Sequence, residues 1–376
     1  MYSSVIHLAK KLVRIPSISP LDLGCQNIIA KRLLNLGFVV EYLNINDTKN
    51  MWAYRIFGKG KHINFLGHTD VVPIICEKNW HYPPFSATIK NGLLYGRGIC
   101  DMKGAIAAMI IALENFIKKK LTYNGKISFL FTSDEESIGT NGIKKVVEIL
   151  ASRKEKIDYC IVGEPTSNNF IGDVIKIGRR GSITFTILIK GISGHVAYPQ
   201  FVINPIHILS PILLKLTRYI WDKGNKHFPP TSLQITKIFS NSNSSNTTPG
   251  EVFLEFNIRF SNQLNFKKIK RIVRKFFASD IFNCDIQSKV YAVPFLTVKS
   301  HLIDIVIKSI NKFNKFKPIV STSGGTSDGR YLFNLTDQVV ELGLINKSIH
   351  KDNEYSKVSD LHILSLMYEE IMKKIL

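Results

Sequence analysis

The sequence predicts an α/β protein with a mixed central sheet flanked by helices and a smaller α+β domain inserted into it. Three observations carry this reading. In the first half, strand-length apolar runs alternate with helical patterns, and polar or acidic residues follow the strands, as in Phe65-Leu66-Gly67-His68, Phe131-Thr132-Ser133-Asp134-Glu135-Glu136 and Ile161-Val162-Gly163-Glu164. Beyond residue 180 the texture changes to period-two alternation, with Ile183, Phe185, Ile187 and Ile189 on one face. The length of 376 residues exceeds what one core usually carries. The expected boundaries are 1–180 for the first part of the larger domain, 181–294 for the insert and 295–376 for the return.

The elements follow in order. Val5, Leu8 and Leu12 share a helical face over 4–14, and Ile15-Pro16 ends that helix. A second amphipathic helix covers 22–36 and stops at Gly37. Strands are expected at Phe38–Leu43, Met51–Ile56 and Ile63–Leu66. Trp80–Phe85 is a proline-rich loop in which His81 reads either as a ligand or as packing. A buried helix rich in alanine and isoleucine runs from Gly104 to about Lys120, and strands follow at Lys126–Thr132 and Tyr159–Val162. In the insert, 181–190, 232–238 and 251–260 read as strands and 203–221 as a helix, while the serine- and asparagine-rich 240–248 is a loop. The chain closes with the glycine-rich 323–330, a strand, His350 and a helix from Ser359.

Composition narrows the function class. Hydrophobic residues make up 45% and charged residues 21%, an ordinary globular balance. No apolar run approaches the roughly 18 residues of a membrane span, and no basic segment leads into an apolar one as in a signal peptide, so no membrane association is expected. Cys25, Cys76, Cys100, Cys160 and Cys284 are widely spaced with no C-x-x-C pair, which argues against disulfides and thiolate zinc and for a reducing cytoplasm. Cys100 reads as a buried free thiol. The 50 Lys and Arg against 29 Asp and Glu give a formal charge of +21. This fits either a polyanion-binding protein or a drift of composition. The lysines at 118–120, 144–145 and 267–268 do not form one block, so no nucleic-acid partner is expected, although a positive field draws in a small anionic substrate.

The chemistry is concentrated in a few residues. His68 and Asp70 lie two apart at a strand end, on one face, where the imidazole can ligate a metal and the carboxylate can hold its other nitrogen. Asp101 follows a Gly96-Arg97-Gly98 turn, where a carboxylate bridges rather than packs. With Glu136, Glu164 and His350 these form a mixed imidazole and carboxylate set that suits zinc. Two ions sharing Asp101 would lie about 3.5–4 Å apart. In the adjacent pair Glu135-Glu136 one carboxylate can ligate while Glu135 stays free as a general base. Taken alone, each piece has a plainer account: a satisfied histidine beside a turn aspartate, and an acidic helix start. No P-loop and no G-x-S-x-G elbow is present, so hydrolysis assisted by a bound metal is the favoured reaction class.

These motifs resemble the M20 family of metallopeptidases and deacylases. The likeness rests on Gly-His68-Thr-Asp70-Val-Val-Pro, Tyr-Gly-Arg-Gly-x-x-Asp101-Met-Lys-Gly, Ser-Asp-Glu135-Glu136 and Val-Gly-Glu164-Pro. Further stretches, Gly178–Ser182, Gly194–Pro199, Phe228–Leu233, Ser323–Arg330, Val340–Gly343 and Ile349-His350-Lys351, narrow the resemblance to a desuccinylating deacylase of amino-acid biosynthesis, with a related M20 deacylase such as an acetylornithine deacetylase as the alternative. The resemblance implies a zinc-peptidase-like catalytic domain, an inserted domain that forms a homodimer, and two zinc ions per subunit, with cobalt as a substitute. It implies that His68, Asp101 and Glu164 hold one ion and Asp101, Glu136 and His350 the other. Glu135 would be the base, Asp70 the partner of His68, and His195 an oxyanion donor to the other subunit. Arg179, Tyr198, Asn246, Arg259, Ser323, Gly324, Thr326 and Asn346 would contact substrate.

Overall fold

The computed structural model describes residues 2–119, 123–137, 139–242, 244–278, 283–298 and 300–376. The expected helix end at Lys120 and Asn243 of the polar loop lie outside the described residues. The chain divides into two compact units, one of Met1–Gly178, Leu296–Ser321 and Ser327–Leu376, the other of Arg179–Phe295 and Thr322–Thr326.

The first unit is built on an eight-stranded mixed sheet in the order Val39–Tyr42, Asn50–Ile56, Gly125–Thr132, Lys61–His68, Tyr159–Val162, Val339–Glu341, Val174–Lys176, Ile319–Ser321. The Gly125–Thr132, Lys61–His68 and Tyr159–Val162 strands are parallel neighbours, so their C-terminal ends emerge side by side. Each is mostly apolar where buried, as a strand covered on both faces tends to be, and the buried His62, Ser128 and Asn64 satisfy one another by hydrogen bonds. The Gly104–Lys118 helix is buried nearly all round, and Ala105, Ala107, Ala108 and Ala112 let it lie close to its neighbours. Gly67 and Gly163 admit the same approach from the sheet: a Cβ there would sit 2.9 Å and 2.5 Å from the Met102 Cε. The second helix begins at Cys25, later than expected. The Asp22 carboxylate accepts from the Gly24 and Gln26 amides and turns the chain into it.

The second unit is a four-stranded antiparallel sheet in the order Ser232–Ser240, Glu251–Phe260, Gly181–Lys190, Asn283–Ala292. Its apolar residues Ile183, Phe185, Ile187, Leu254 and Phe256 form a core with the Pro205–Arg218 and Phe266–Phe277 helices. The Phe266–Phe277 helix corrects the reading of the charge. Ile269, Val273 and Phe277 are buried, while Lys267, Lys268, Arg271, Arg274 and Lys275 are exposed, so cations do gather on one helix face. Its aromatic residues lie on the inner side. In the polar loop, Thr247–Thr248 pairs with Gly194–His195 as a short ribbon.

The strands Thr88–Lys90 and Leu93–Tyr95 form a hairpin absent from the sequence reading. Asn91 and Gly92 turn it with φ of 51° and 74°, the two positive angles that an Asn-Gly turn supplies. Among the described residues no helix is long and apolar enough to cross a membrane. All five cysteines are unpaired.

Candidate metal centre

The three parallel strands deliver the site. His68 ends the middle strand, Glu135 and Glu136 follow the strand on one side, and Glu164 follows the strand on the other. Side chains at the carboxyl ends of adjacent parallel strands converge whatever their separation in sequence. Asp101 arrives from the turn after the hairpin, and His350 from the loop after Val339–Glu341.

Asp101 lies between the two histidines. Its Oδ1 is 3.1 Å from the His68 Nε2, and its Oδ2 is 3.2 Å from the His350 Nε2. The His350 Nε2 also lies 3.0 Å from the Glu136 Oε1, and the His68 Nε2 lies 3.9 Å from the Glu164 Oε1. Two donor groups result, His68 with Asp101 and Glu164, and Asp101 with Glu136 and His350, each with ligand atoms within 4.8 Å of one another. A third group of the same tightness joins His68, Glu135 and Glu136. His81 stands outside all three.

Asp70 departs from expectation. The His68 Nδ1 donates to the Asp70 backbone carbonyl at 2.9 Å, while the nearer carboxylate oxygen lies at 3.6 Å. That carboxylate instead accepts from the Glu136 amide at 3.0 Å and the Glu135 amide at 3.4 Å. Asp70 therefore fixes the His68 ring through its main chain and the glutamate pair through its side chain. Thr69 between them donates to the Asp22 Oδ1 at 2.7 Å, which ties the site to the start of the second helix.

The electrostatics fit a cation site. Burial pushes the Glu135 carboxyl well above its usual range, and the charges of Glu164 and Asp328 add to this. Burial and then Asp101 raise Glu136. Hydrogen bonds to Asp101 and Glu136 lift His350 to about 10. Burial opposes charge at Asp101, but hydrogen bonds from His350 and His68 more than offset it and hold its carboxyl below the ordinary range. Carboxylates thus outnumber imidazoles in a largely buried space, an arrangement that cations relieve. Imidazole and carboxylate donors without thiolate suit zinc and similar divalent ions.

Glu354 and Asp328 belong to this neighbourhood and were not singled out from the sequence. The buried Glu354 carboxylate accepts from the main chain leading to Asp101. Burial raises the Asp328 carboxyl to about 6, and it lies 3.7 Å from the Arg330 guanidinium. Cys100 is buried, and burial with the Glu354 charge raises its thiol well above the usual value, as befits an inert group.

The remaining candidates fall in separate places. Asn346 is in the first unit, 3.3 Å from the Asn168 amide oxygen. His195, Tyr198 and Asn246 gather in the second: the Tyr198 amide donates to the His195 carbonyl at 2.9 Å, and the Val196 amide to that of Asn246 at 3.0 Å. Arg179 donates to the Ser323 carbonyl at 3.1 Å. A Cβ on Gly324, whose φ is +103°, would lie 2.6 Å from the Arg179 guanidinium, so this close approach needs glycine. Arg259 is half-buried, and burial and the nearby Arg180 charge lower its pKa. Thr326 is half-buried in the short segment that joins the second unit.

The fold and the donor set together define a class, and the chain belongs to peptidase family M20/M25/M40, whose sequence profile matches residues 65–374. It is 53% identical over 376 residues, 100% of both chains, to the succinyl-diaminopimelate desuccinylase of Buchnera aphidicola subsp. Acyrthosiphon pisum (strain Tuc7). It is 52% identical over 377 residues, again 100% of both, to that of subsp. Cinara cedri (strain Cc). The fold is shared with an M20 metallo-carboxypeptidase from Sulfolobus solfataricus, at a TM-score of 0.81, 19% identity and 98% coverage of each chain. It is shared also with a dinuclear metal-binding M20 peptidase from Bacillus subtilis, at a TM-score of 0.74, 16% identity and coverage of 99% and 97%.

Proposed function

We propose that this chain hydrolyses N-succinyl-L,L-2,6-diaminopimelate to succinate and L,L-2,6-diaminopimelate, a step of diaminopimelate and lysine biosynthesis. The observation that carries the reading is end-to-end identity of 53% to a succinyl-diaminopimelate desuccinylase in a chain whose His68, Asp101, Glu136, Glu164 and His350 donors converge. Two zinc ions per subunit, with cobalt able to replace them, would be held by His68, Asp101 and Glu164 and by Asp101, Glu136 and His350. Bound there, they would supply Lewis acidity to the amide carbonyl and acidify the attacking water.

The protein's own residues do the rest. Glu135 takes a proton from the attacking water as its oxygen bonds to the amide carbon, and returns it to the nitrogen as the C–N bond breaks. Asp70 holds the Glu135 and Glu136 amides, so that the free carboxylate and the ligand keep separate directions. His195, from the partner subunit of a homodimer built through the inserted domain, steadies the developing oxyanion. The substrate is a small anion whose succinyl chain ends in a carboxylate, which planar guanidinium forks match. Arg180 and Arg259 are half-buried neighbours that form no ion pair among the described residues, and so favour an anion between them. Arg179, Tyr198, Asn246, Ser323, Gly324, Thr326 and Asn346 complete the proposed contacts. Unpaired cysteines accord with a cytoplasmic enzyme.

The test is release of succinate or acetate from the matched N-succinyl and N-acetyl substrates, with and without added zinc. Zinc-dependent preference for the succinyl substrate is expected. Equal or greater activity on the acetyl substrate would reassign the chain to another deacylase of the family.

A further inference from the structure

We infer that Glu354 and Arg97, neither of them a metal ligand, form a positioning pair that sets the spacing of Asp101 and His350 and so governs one cation position more than the other. The inference rests on the two-ion reading above.

Glu354 is buried, and both oxygens of its carboxylate are used. Oε2 accepts from the Arg97 Nη1 at 2.9 Å and the Gly98 amide at 2.9 Å. Oε1 accepts from the Cys100 amide at 2.8 Å and the Asp101 amide at 3.3 Å. One side chain therefore gathers the backbone of the segment that ends in the shared ligand. Its counter-ion reaches the other way: the Arg97 Nη1 also donates to the Lys351 carbonyl at 3.0 Å, one residue beyond His350. The guanidinium is buried and lies over the Trp80 ring at 5.2 Å, which leaves it little freedom to move.

The strands hold Glu354 in place. Leu93–Tyr95 pairs with Tyr355–Lys357, and the Gly96 amide donates to the Glu354 carbonyl at 2.9 Å. The turn before Asp101 and the loop after His350 are thus set against each other by one ladder and one buried ion pair. On the outer side, Asn79 reaches Asp352 at 3.0 Å through exposed side chains.

The two donor groups depend on this pair unequally. His68 ends a long strand, and Glu164 follows the neighbouring strand paired with it, so the sheet holds both without help from Glu354. His350 sits on a loop with φ of 58° and is exposed. No strand of the large sheet carries it, and the Arg97 hydrogen bond to the Lys351 carbonyl is one of the contacts that hold its loop beside Asp101 and Glu136. Replacing Glu354 by glutamine puts an amide N–H₂ against at least two donors and leaves Arg97 a buried charge without its carboxylate.

The test reads ions, not turnover. Apo-protein is titrated with zinc by calorimetry, and bound zinc is counted after dialysis, for the wild type, Glu354→Gln, Glu354→Asp and Arg97→Lys. The wild type is expected to take up two ions. In the variants the site of Asp101, Glu136 and His350 should weaken by about 10–100-fold, and the site of His68, Asp101 and Glu164, which shares only Asp101 with it, should weaken clearly less. Arg97→Lys keeps the charge but shortens the side chain that brings one nitrogen, Nη1, to both the carboxylate and the carbonyl, and it should fall in between. If Glu354→Gln fails to fold, Arg97→Lys still decides. Two unchanged affinities in a folded variant, or equal loss at both sites, would overturn the inference. A wild type that takes up only one ion overturns the two-ion reading and this inference with it, whatever substrate the enzyme prefers.

Discussion

Glu135→Gln is the perturbation that separates base from ligand. The structure puts Glu135 in one possible donor group, with His68 and Glu136, and leaves it out of the two groups that share Asp101. The substitution keeps the shape of the side chain, and the backbone is held from outside, by the Asp70 carboxylate on the Glu135 and Glu136 amides at 3.4 Å and 3.0 Å. Glutamine should therefore occupy the same space without moving Glu136. What is lost is a proton acceptor, and general base catalysis typically contributes about 10²–10⁴-fold. That range corresponds to about 2.7–5.5 kcal/mol of barrier. The expected result is a fall in kcat of that size, with both zinc ions retained and KM little changed. Succinate release and metal content measured on one sample give the answer. A mutant that loses a zinc ion refutes the reasoning, because it makes Glu135 a ligand and frees Glu136 for the base.

Three further outcomes are expected. His195→Ala should lower kcat by about 10²–10³-fold, as loss of one oxyanion donor does, with metal content unchanged; mixing it with Glu135→Gln under subunit exchange should restore part of the activity, and no recovery after confirmed exchange would place His195 outside the partner's site. Sedimentation should give a dimer, since Ser232–Ser240 is an edge strand with Ile238 and Phe239 exposed, and a fully active monomer would remove the proposed assembly. Burial lowers His62 from its usual 6.5 to about 4, against the hydrogen bond to the Lys156 carbonyl, so the unfolded state binds the proton more readily; stability present above about pH 6.5 should drain away by about 2.5 kcal/mol as the pH falls to about 4.5. Urea unfolding of the wild type and His62→Gln at both pH values checks this, and equal slopes in the two proteins would refute it.

The candidate donors were legible because their types and their positions after strands speak together. His68, Glu136 and Glu164 each follow an apolar run, and the parallel pairing of those runs brings them side by side. The sheet order itself is not written locally. Gly125–Thr132 lies between Asn50–Ile56 and Lys61–His68, an arrangement set by long-range contacts that no window of sequence contains. The hairpin at 88–95 had a signal in Asn91-Gly92, but its strands are only three residues each, too short for a period to stand out. The Phe266–Phe277 helix had a signal as well, with Phe266, Ile269, Val273 and Phe277 recurring at helical spacing and cations filling the opposite face.

Asp70 and Glu354 show why roles are harder to read than positions. An i, i+2 pattern on one strand places Asp70 on the face of His68, and it stops there. Its carboxylate took the amides of Glu135 and Glu136 because the neighbouring parallel strand ends beside it and leaves those donors unmatched. Glu354 has no distinguishing neighbours in Asp352-Asn353-Glu354, and its partners lie 253 to 257 residues away. A carboxylate that binds main chain responds to geometry alone, since every residue except proline offers an amide. Ligands are constrained by what they are, whereas the groups that hold ligands are constrained by where the fold puts them. The Glu354→Gln titration therefore tests the part of this site that only the structure makes visible.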